Sequence, residues 1–254
     1  MLPFTPADWH RRFTRQAQWT RALRDYLLPR VGEKSAARTL EVGCGTGAVL
    51  TELSETLSFT AGLDVNFTYL NLAMRNTPQA RLTQGDAHTL PYASNNFDLT
   101  LCHFLLLWVD DPLQVISEMV RVTRSGGAVL ALAEPDYGGR IDYPVELGVL
   151  GDWQRASLRR QGADPLMGRR LAGLFHQAGI EAVETGILGA QWPEAPDQET
   201  WESEWAVLES DLSQISEILE IPEMTKLKEL DRMAHEKGER VLFVPTFYAW
   251  GRVS

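Results

Sequence analysis

The sequence predicts an α/β protein built on a mainly parallel sheet. Three observations carry that reading. From Arg38 onward short apolar runs alternate with helical stretches, the pattern of strands joined by crossover helices. The first run enters a glycine turn that opens a helix. The 254 residues, 44% apolar and 23% charged, suffice for one globular core. Because α/β folds run to about 250 residues as one unit, residues 1–254 are expected to form a single domain.

The elements follow in order. Thr5-Pro6-Ala7-Asp8 places a capping hydroxyl before a proline at the first helical position, with an acid in the first turn. A helix is expected from there until Pro29 and Gly32, with Phe13, Ala17, Leu23 and Leu27 near one face. Arg11, Arg12, Arg15, Arg21 and Arg24 occupy most of its remainder. Strands are expected at 39–42, 60–64, 80–84, 97–103 and 128–134, the fourth preceded by the turn Ala93-Ser94-Asn95-Asn96. Helices are expected at 48–57, 66–76 and 112–123, the last stopped by Ser125-Gly126-Gly127. Beyond them, 135–144 reads as a loop, 145–160 as a helix, and 168–178 as an amphipathic helix closed by Gly179. Strands are expected at 180–190 and 241–253, with two acidic helices between them over 197–238.

The charge balance narrows the function. Twenty-four basic and 34 acidic side chains leave a formal charge of −10, which argues against a broad nucleic-acid surface. The imbalance is local, since residues 194–240 hold 14 acids and 5 bases. Two cysteines, Cys44 and Cys102, exclude a disulfide scaffold and a four-thiolate zinc site and fit a reducing compartment. No metal is expected. The longest apolar stretch, 99–109, is broken by Thr100 and His103 and is shorter than the ~18–20 residues that span a bilayer. The opening residues lack a basic region followed by an apolar core, so a cytoplasmic address is expected.

The most informative stretch is Leu40-Glu41-Val42-Gly43-Cys44-Gly45-Thr46-Gly47. Three glycines at alternate positions let backbone pass close to a ligand, and the helix that follows offers free N–H groups. A ligand site at the strand's carboxyl end is expected. Gly43, Gly45 and Ala48 also satisfy the loose G-x-G-x-x-A pattern of NAD-binding folds, with Asp64 about 20 residues on to hold a ribose. The surroundings separate the two readings. A second negative charge at Glu41 does nothing for a pyrophosphate but suits a cationic amino-acid cofactor. Gly85-Asp86-Ala87 then puts another carboxylate after the third strand, where an adenine amino group could donate to it.

These residues resemble the class I S-adenosylmethionine-dependent methyltransferases, in particular the small-molecule type 11 branch. The resemblance covers residues 38–134 and includes Pro91-Tyr92 and Asn96-Phe97-Asp98 before the fourth strand. It implies a Rossmann-like three-layer α/β sandwich around a seven-stranded, mostly parallel sheet whose last strand is antiparallel, with inserted C-terminal helices. It implies S-adenosylmethionine as cofactor and methyl transfer to a small-molecule acceptor. By the same resemblance Glu41, Gly43, Cys44, Gly45 and Gly47 wrap the amino-acid end and the adenosine. Asp64 then takes the ribose, Val65 packs on adenine, Asp86 and Ala87 meet the adenine edge, and His103 stands beside the transfer centre. Within the chain, 1–34 is expected as a helical lid and 38–134 as the cofactor-binding core. Residues 135–193 are expected on the substrate side, and 194–240 as an acidic helical insertion serving as a lid or in dimerisation.

In-line displacement on a sulfonium requires positioning, and a base only where the acceptor loses a proton. His103 is the first candidate base, against a cofactor-lining or packed role. Asp136 and Tyr143, with Tyr137 and Asp142, are candidates on the loop after the fifth strand, against structural turn residues. Trp108 reads as an apolar core residue at the head of a helix rather than an acceptor-stacking ring. Arg155, Arg159, Arg160, Arg169 and Arg170 read as a solvated face rather than an anion site, and Trp201 with Trp205 as helix packing. Two rival functions stand: an NAD-dependent oxidoreductase and a catalytically silent methyltransferase-like binding protein. The short-chain form of the first wants Tyr-x-x-x-Lys, and no tyrosine here has that lysine.

Overall fold

The computed structural model describes residues 5–31, 37–187, 197–213 and 221–254. Contacts divide them into two compact units. The larger comprises the described residues of Leu2–Glu134, Met167–Ile187 and Thr246–Ser254; the smaller comprises those of Pro135–Leu166 and Leu188–Pro245.

In the larger unit, α1 (Pro6–Trp19) starts on the expected capping box, in which Thr5 and Asp8 satisfy each other's backbone N–H groups with Pro6 at the first position. The expected single helix is two. Thr20 leaves helical geometry, its hydroxyl lies 3.1 Å from Gln16 O and 3.2 Å from Ala17 O, and α2 (Arg21–Leu27) begins afresh. Arg24, expected on the polar face, is 1% exposed, because Ala17, Thr20, Arg24 and Leu27 fall at spacings of three and four on the buried stripe. Gly32, expected to end the helix, lies outside the described residues.

The sheet contains β1 (Arg38–Val42), β2 (Phe59–Asp64), β3 (Arg81–Gln84), β4 (Phe97–His103), β5 (Thr123–Pro135), β7 (Glu181–Ile187) and β9 (Thr246–Arg252). Their order is β3-β2-β1-β4-β5-β9-β7. The first five pair in parallel, with Leu40 against Ala61 and Thr100, and β9 runs antiparallel between β5 and β7. The seven-stranded, mostly parallel Rossmann-like arrangement expected from the sequence is therefore present. Helices α3 (Ala48–Thr56), α4 (Phe67–Asn76) and α5 (Pro112–Val122) make the crossovers, and α7 (Met167–Gln177) precedes β7. The centre of the sheet is apolar on both faces: Leu40, Val42, Leu63, Leu101 and Val129 are all buried. Strand order reverses between β1 and β4, so their carboxyl ends flank the switch point where open α/β sheets take ligands.

One boundary differs from expectation. Helix α5 ends at Val122 and the chain enters β5 at once, Thr123 pairing with Phe97. The triplet at 125–127 is an irregularity inside the strand, where a Cβ on Gly127 would come within 2.7 Å of Asp98 O.

In the smaller unit, 135–144 is not a plain loop. After a 3-10 turn at Tyr137–Gly139, β6 (Ile141–Tyr143) pairs antiparallel with β8 (Val241–Phe243). The expected single strand over 241–253 is thereby split. Pro245 has no N–H for a ladder, and its carbonyl accepts from Asp136 N (2.8 Å). A second 3-10 turn, Val145–Leu147, leads into α6 (Gly148–Arg160), and the acidic segment forms α8 (Gln198–Ser213) and α9 (Ile221–Glu236). Leu147, Leu150, Trp205 and Leu227 form its apolar core, with Trp201 packed against it. Beneath lies a buried ion network. Asp231 accepts from both indoles, Trp201 (2.6 Å) and Trp205 (2.8 Å), and from Arg240 Nε (2.5 Å), while Arg240 and Arg140 both donate to Asp142. The two tryptophans thus serve helix packing. Residues 188–190 of the expected strand 180–190 lie outside the described residues.

Removing one partner from such a network strands the rest without water. Asp231→Ala is expected to lower stability by about 3–5 kcal/mol, read from urea unfolding; a loss below about 0.5 kcal/mol, the scale of an ordinary surface substitution, would show that the buried cations find other partners.

Candidate active site

The turn after β1 depends on glycine. Gly43, Gly45 and Gly47 have φ of 73°, 52° and 82°, a region that side chains strain. Space is short as well: a Cβ on Gly43 would lie 2.7 Å from Leu105 Cδ1. Gly43 and Cys44 donate to Leu63 O (2.7 and 2.9 Å), which folds the turn back on β2. Cys44 packs against Leu50 and Leu70, and burial pushes its thiol well above the usual range, so it is an unreactive packing group.

Asp64, at the end of β2, connects the loops. Its Oδ2 accepts from Gly45 N and its Oδ1 from Asn66 N, each at 2.8 Å. Burial raises its pKa, and those two N–H groups oppose the rise. Asn66 in turn caps α4 by accepting from Thr68 and Tyr69. Val65, beside it, is 70% exposed, an open apolar surface next to the carboxylate.

Glu41 is 2% exposed, and its Oε2 has no hydrogen-bond partner among the described residues. Burial pushes it up to about 8, the Arg24 guanidinium pulls it down, the Asp64 charge raises it further, and the Leu50 N–H lowers it. Arg24 donates through Nη1 to Thr20 Oγ1 (2.9 Å) and through Nη2 to Glu52 (2.5 Å), while its Nε has no partner among the described residues. His103, at the end of β4, lies 2.9 Å by Nε2 from the same Thr20 hydroxyl. Burial first, and the Arg24 charge second, push His103 down to about 3, so the imidazole is neutral at pH 7.

Two further supports were not read from the sequence. Glu134, at the end of β5, is fully buried and accepts from Leu105 and Leu106 N on Oε1 (2.9 Å each) and from Leu107 N on Oε2 (3.2 Å). It anchors the 3-10 turn Leu106–Trp108, where Trp108 is 47% exposed rather than in the core. On the other side, α1 leans on the glycine turn. His10 Nδ1 shares a hydrogen bond with Thr46 Oγ1 (2.8 Å), Asn76 Nδ2 donates to Thr46 O (3.0 Å), and the Phe13 ring stands over Gly45. A carboxylate closing an otherwise apolar strand was the available signal for Glu134. Nothing local singled out His10.

Asp86 is exposed, accepts from His88 N (2.9 Å), and lies 2.7 Å from His88 Nδ1, which hold it below its usual range; Ala87 beside it is buried. In the smaller unit, Asp136 is buried and caps its own turn by accepting from Gly138 N (2.9 Å), and Tyr143 is exposed on β6. Asp142 belongs to the ion network. Arg155 pairs with Asp152 on α6.

Comparison with known proteins identifies the family. A family model described as a methyltransferase domain, type 11, matches residues 40–131. A demethylmenaquinone methyltransferase of Oceanobacillus iheyensis is 33% identical over 193 residues, 68% of this chain and 79% of that protein. One from Renibacterium salmoninarum is 32% identical over 47% of this chain; the chain spans about half the length of that relative, 51%. Among solved structures, phosphoethanolamine N-methyltransferase 2 of Haemonchus contortus in complex with S-adenosyl-L-methionine superposes with a TM-score of 0.54 at 16% identity, covering 89% of this chain and 50% of that one. The chain belongs to the class I S-adenosylmethionine-dependent methyltransferases, in the type 11 methyltransferase-domain family.

Proposed function

We propose that the chain binds S-adenosylmethionine at the carboxyl ends of β1 to β4 and transfers its methyl group to a small organic acceptor. The observation that carries this reading is Glu41, a buried carboxyl beside a glycine turn with one oxygen that has no partner among the described residues. Against a pyrophosphate it would add repulsion. Against a cationic amino-acid nucleoside it is complementary.

The residues present fit that cofactor. The glycine turn leaves backbone approach open where a Cβ would fill the space. Asp64, fixed by two N–H groups, keeps lone pairs for ribose hydroxyls, and exposed Val65 offers an apolar face to adenine. Asp86 and Ala87 are assigned to the adenine edge. S-adenosylmethionine supplies, when bound, a methyl group on a sulfonium leaving group. The chain's part is to orient and to exclude water. His103, held neutral and far below the range of an efficient base at pH 7, is assigned a lining role rather than proton abstraction. The free thiols of Cys44 and Cys102 support a reducing, cytoplasmic setting.

Calorimetric titration with S-adenosylhomocysteine and with NAD tests this reading. The first should bind and NAD should not, and Asp64→Ala should weaken the first by roughly tenfold to a hundredfold while the protein stays folded. NAD binding alone, or unchanged affinity in folded Asp64→Ala, contradicts the assignment. A pH dependence follows from Glu41. Its free-state pKa near 8 leaves it mostly protonated at pH 7, and an ammonium beside it lowers that pKa. Binding should therefore release a proton, with affinity rising from pH 6 to 8, and Glu41→Gln should flatten the rise. A wild-type affinity independent of pH would place the ammonium elsewhere.

A further inference from the structure

The loop after β3 is tied to the first turns of α5 through His88. The imidazole stands between two partners: Nδ1 lies 2.7 Å from Asp86 Oδ1, and Nε2 accepts from the N–H of Asp111, the cap of α5, at 3.4 Å. A carboxylate oxygen on one side and an N–H on the other select the tautomer with its proton on Nδ1. The backbone of His88 is fixed as well. Its N–H donates to the same Asp86 oxygen (2.9 Å), and its carbonyl accepts from Gln114 Nε2 (3.1 Å). Two residues on, Leu90 N donates to Glu118 Oε2 (2.7 Å) and Leu90 O accepts from Arg121 Nη2 (2.9 Å). Asp86 needs such support, because its side chain is 61% exposed and an exposed carboxylate is otherwise free to turn. His88 occupies Oδ1 from both its backbone and its ring, and Oδ2 takes no hydrogen bond among the described residues.

We infer that His88 is a positioning residue for nucleobase selection: by holding Oδ1 of Asp86 it leaves Oδ2 fixed toward the 6-amino group of the cofactor's adenine. The inference rests on the cofactor reading above and adds a residue that acts through Asp86 rather than on the ligand. A carboxylate held in one orientation accepts from an amino group and repels an oxo group. A carboxylate free to turn discriminates less, since it can swing away from the wrong base. Selection between the two purines therefore depends on the imidazole and, through it, on the start of α5.

Two probes test this, S-adenosylhomocysteine and S-inosylhomocysteine, which carries an oxo group in place of the 6-amino group. Calorimetry on the full chain should show the wild type preferring the first by roughly tenfold to a hundredfold, the scale of a charge-assisted hydrogen bond. His88→Ala should cut that preference by about fivefold, the scale of one ordinary hydrogen bond. His88→Asn, whose amide N–H can stand in for Nδ1–H, should keep it within about twofold. In an Asp86→Ala background, His88→Ala should change the preference by less than about twofold, because its path through Asp86 is gone. A merely structural His88 would weaken both nucleosides alike and leave their ratio unmoved. An unmoved ratio in His88→Ala, an equal fall in the Asp86→Ala background, or a wild type with no preference overturns the inference. Should His88→Ala fail to fold, His88→Gln, whose amide extends toward the position of Nε2 rather than Nδ1, takes its place with the same expected and overturning results. Failure of the wild type to bind S-adenosylhomocysteine overturns the cofactor reading itself, whatever the variants do.

Discussion

The carboxylate of Asp64 is the constraint on which the site depends. With one oxygen on Gly45 N and the other on Asn66 N, it ties the turn after β1 to the start of α4. Each tie has a backbone requirement behind it. Gly45 presents its N–H from a φ of 52°, a region that favours glycine, and Asn66 is also the cap of α4. Because β1 and β2 pair in register, Glu41 against Gly62 and Val42 against Leu63, both loops leave the sheet at the same level. Sheet geometry and one acid thus set the entrance to the switch point.

Around that acid the chain gathers titratable groups in a place where charge is costly. Glu41 is pushed up to about 8 and Glu134 to about 7, in each case chiefly by burial, while His103 is pushed down to about 3. These groups do different work. Glu134 is satisfied by three backbone N–H groups and holds the turn after β4, a structural use of a buried acid. Glu41 Oε2, by contrast, has no hydrogen-bond partner among the described residues, as a group kept for a ligand would. Replacing such residues by neutral isosteres commonly stabilises a protein while removing its binding.

Much of this was legible in the sequence, for a physical reason. Buried parallel strands are largely continuous apolar runs, so β1, β2 and β4, with the helices α3 and α4, can be read to within a residue or two. The glycine turn after β1 was legible because glycine at alternate positions has few other uses. What escaped depended on partners far along the chain. The three-residue strand β6 exists because β8, about a hundred residues later, pairs with it. The hydroxyl of Thr20 ends α1 while meeting His103, 83 positions away. Arg24 was assigned to solvent by its charge although its spacing placed it on the buried stripe, and Trp108 to the core by its size. Residue type was the weaker guide in both cases.

The central claim is that one nucleoside cofactor sits across the ends of β1, β2 and β3, and amide NMR on the isotope-labelled chain tests it most directly. Adding S-adenosylhomocysteine should shift the amides of Gly43, Gly45, Asn66 and Ala87 together, in fixed proportion and saturating at one equivalent. Shifts confined to another part of the chain, or none at saturating ligand, would contradict the account.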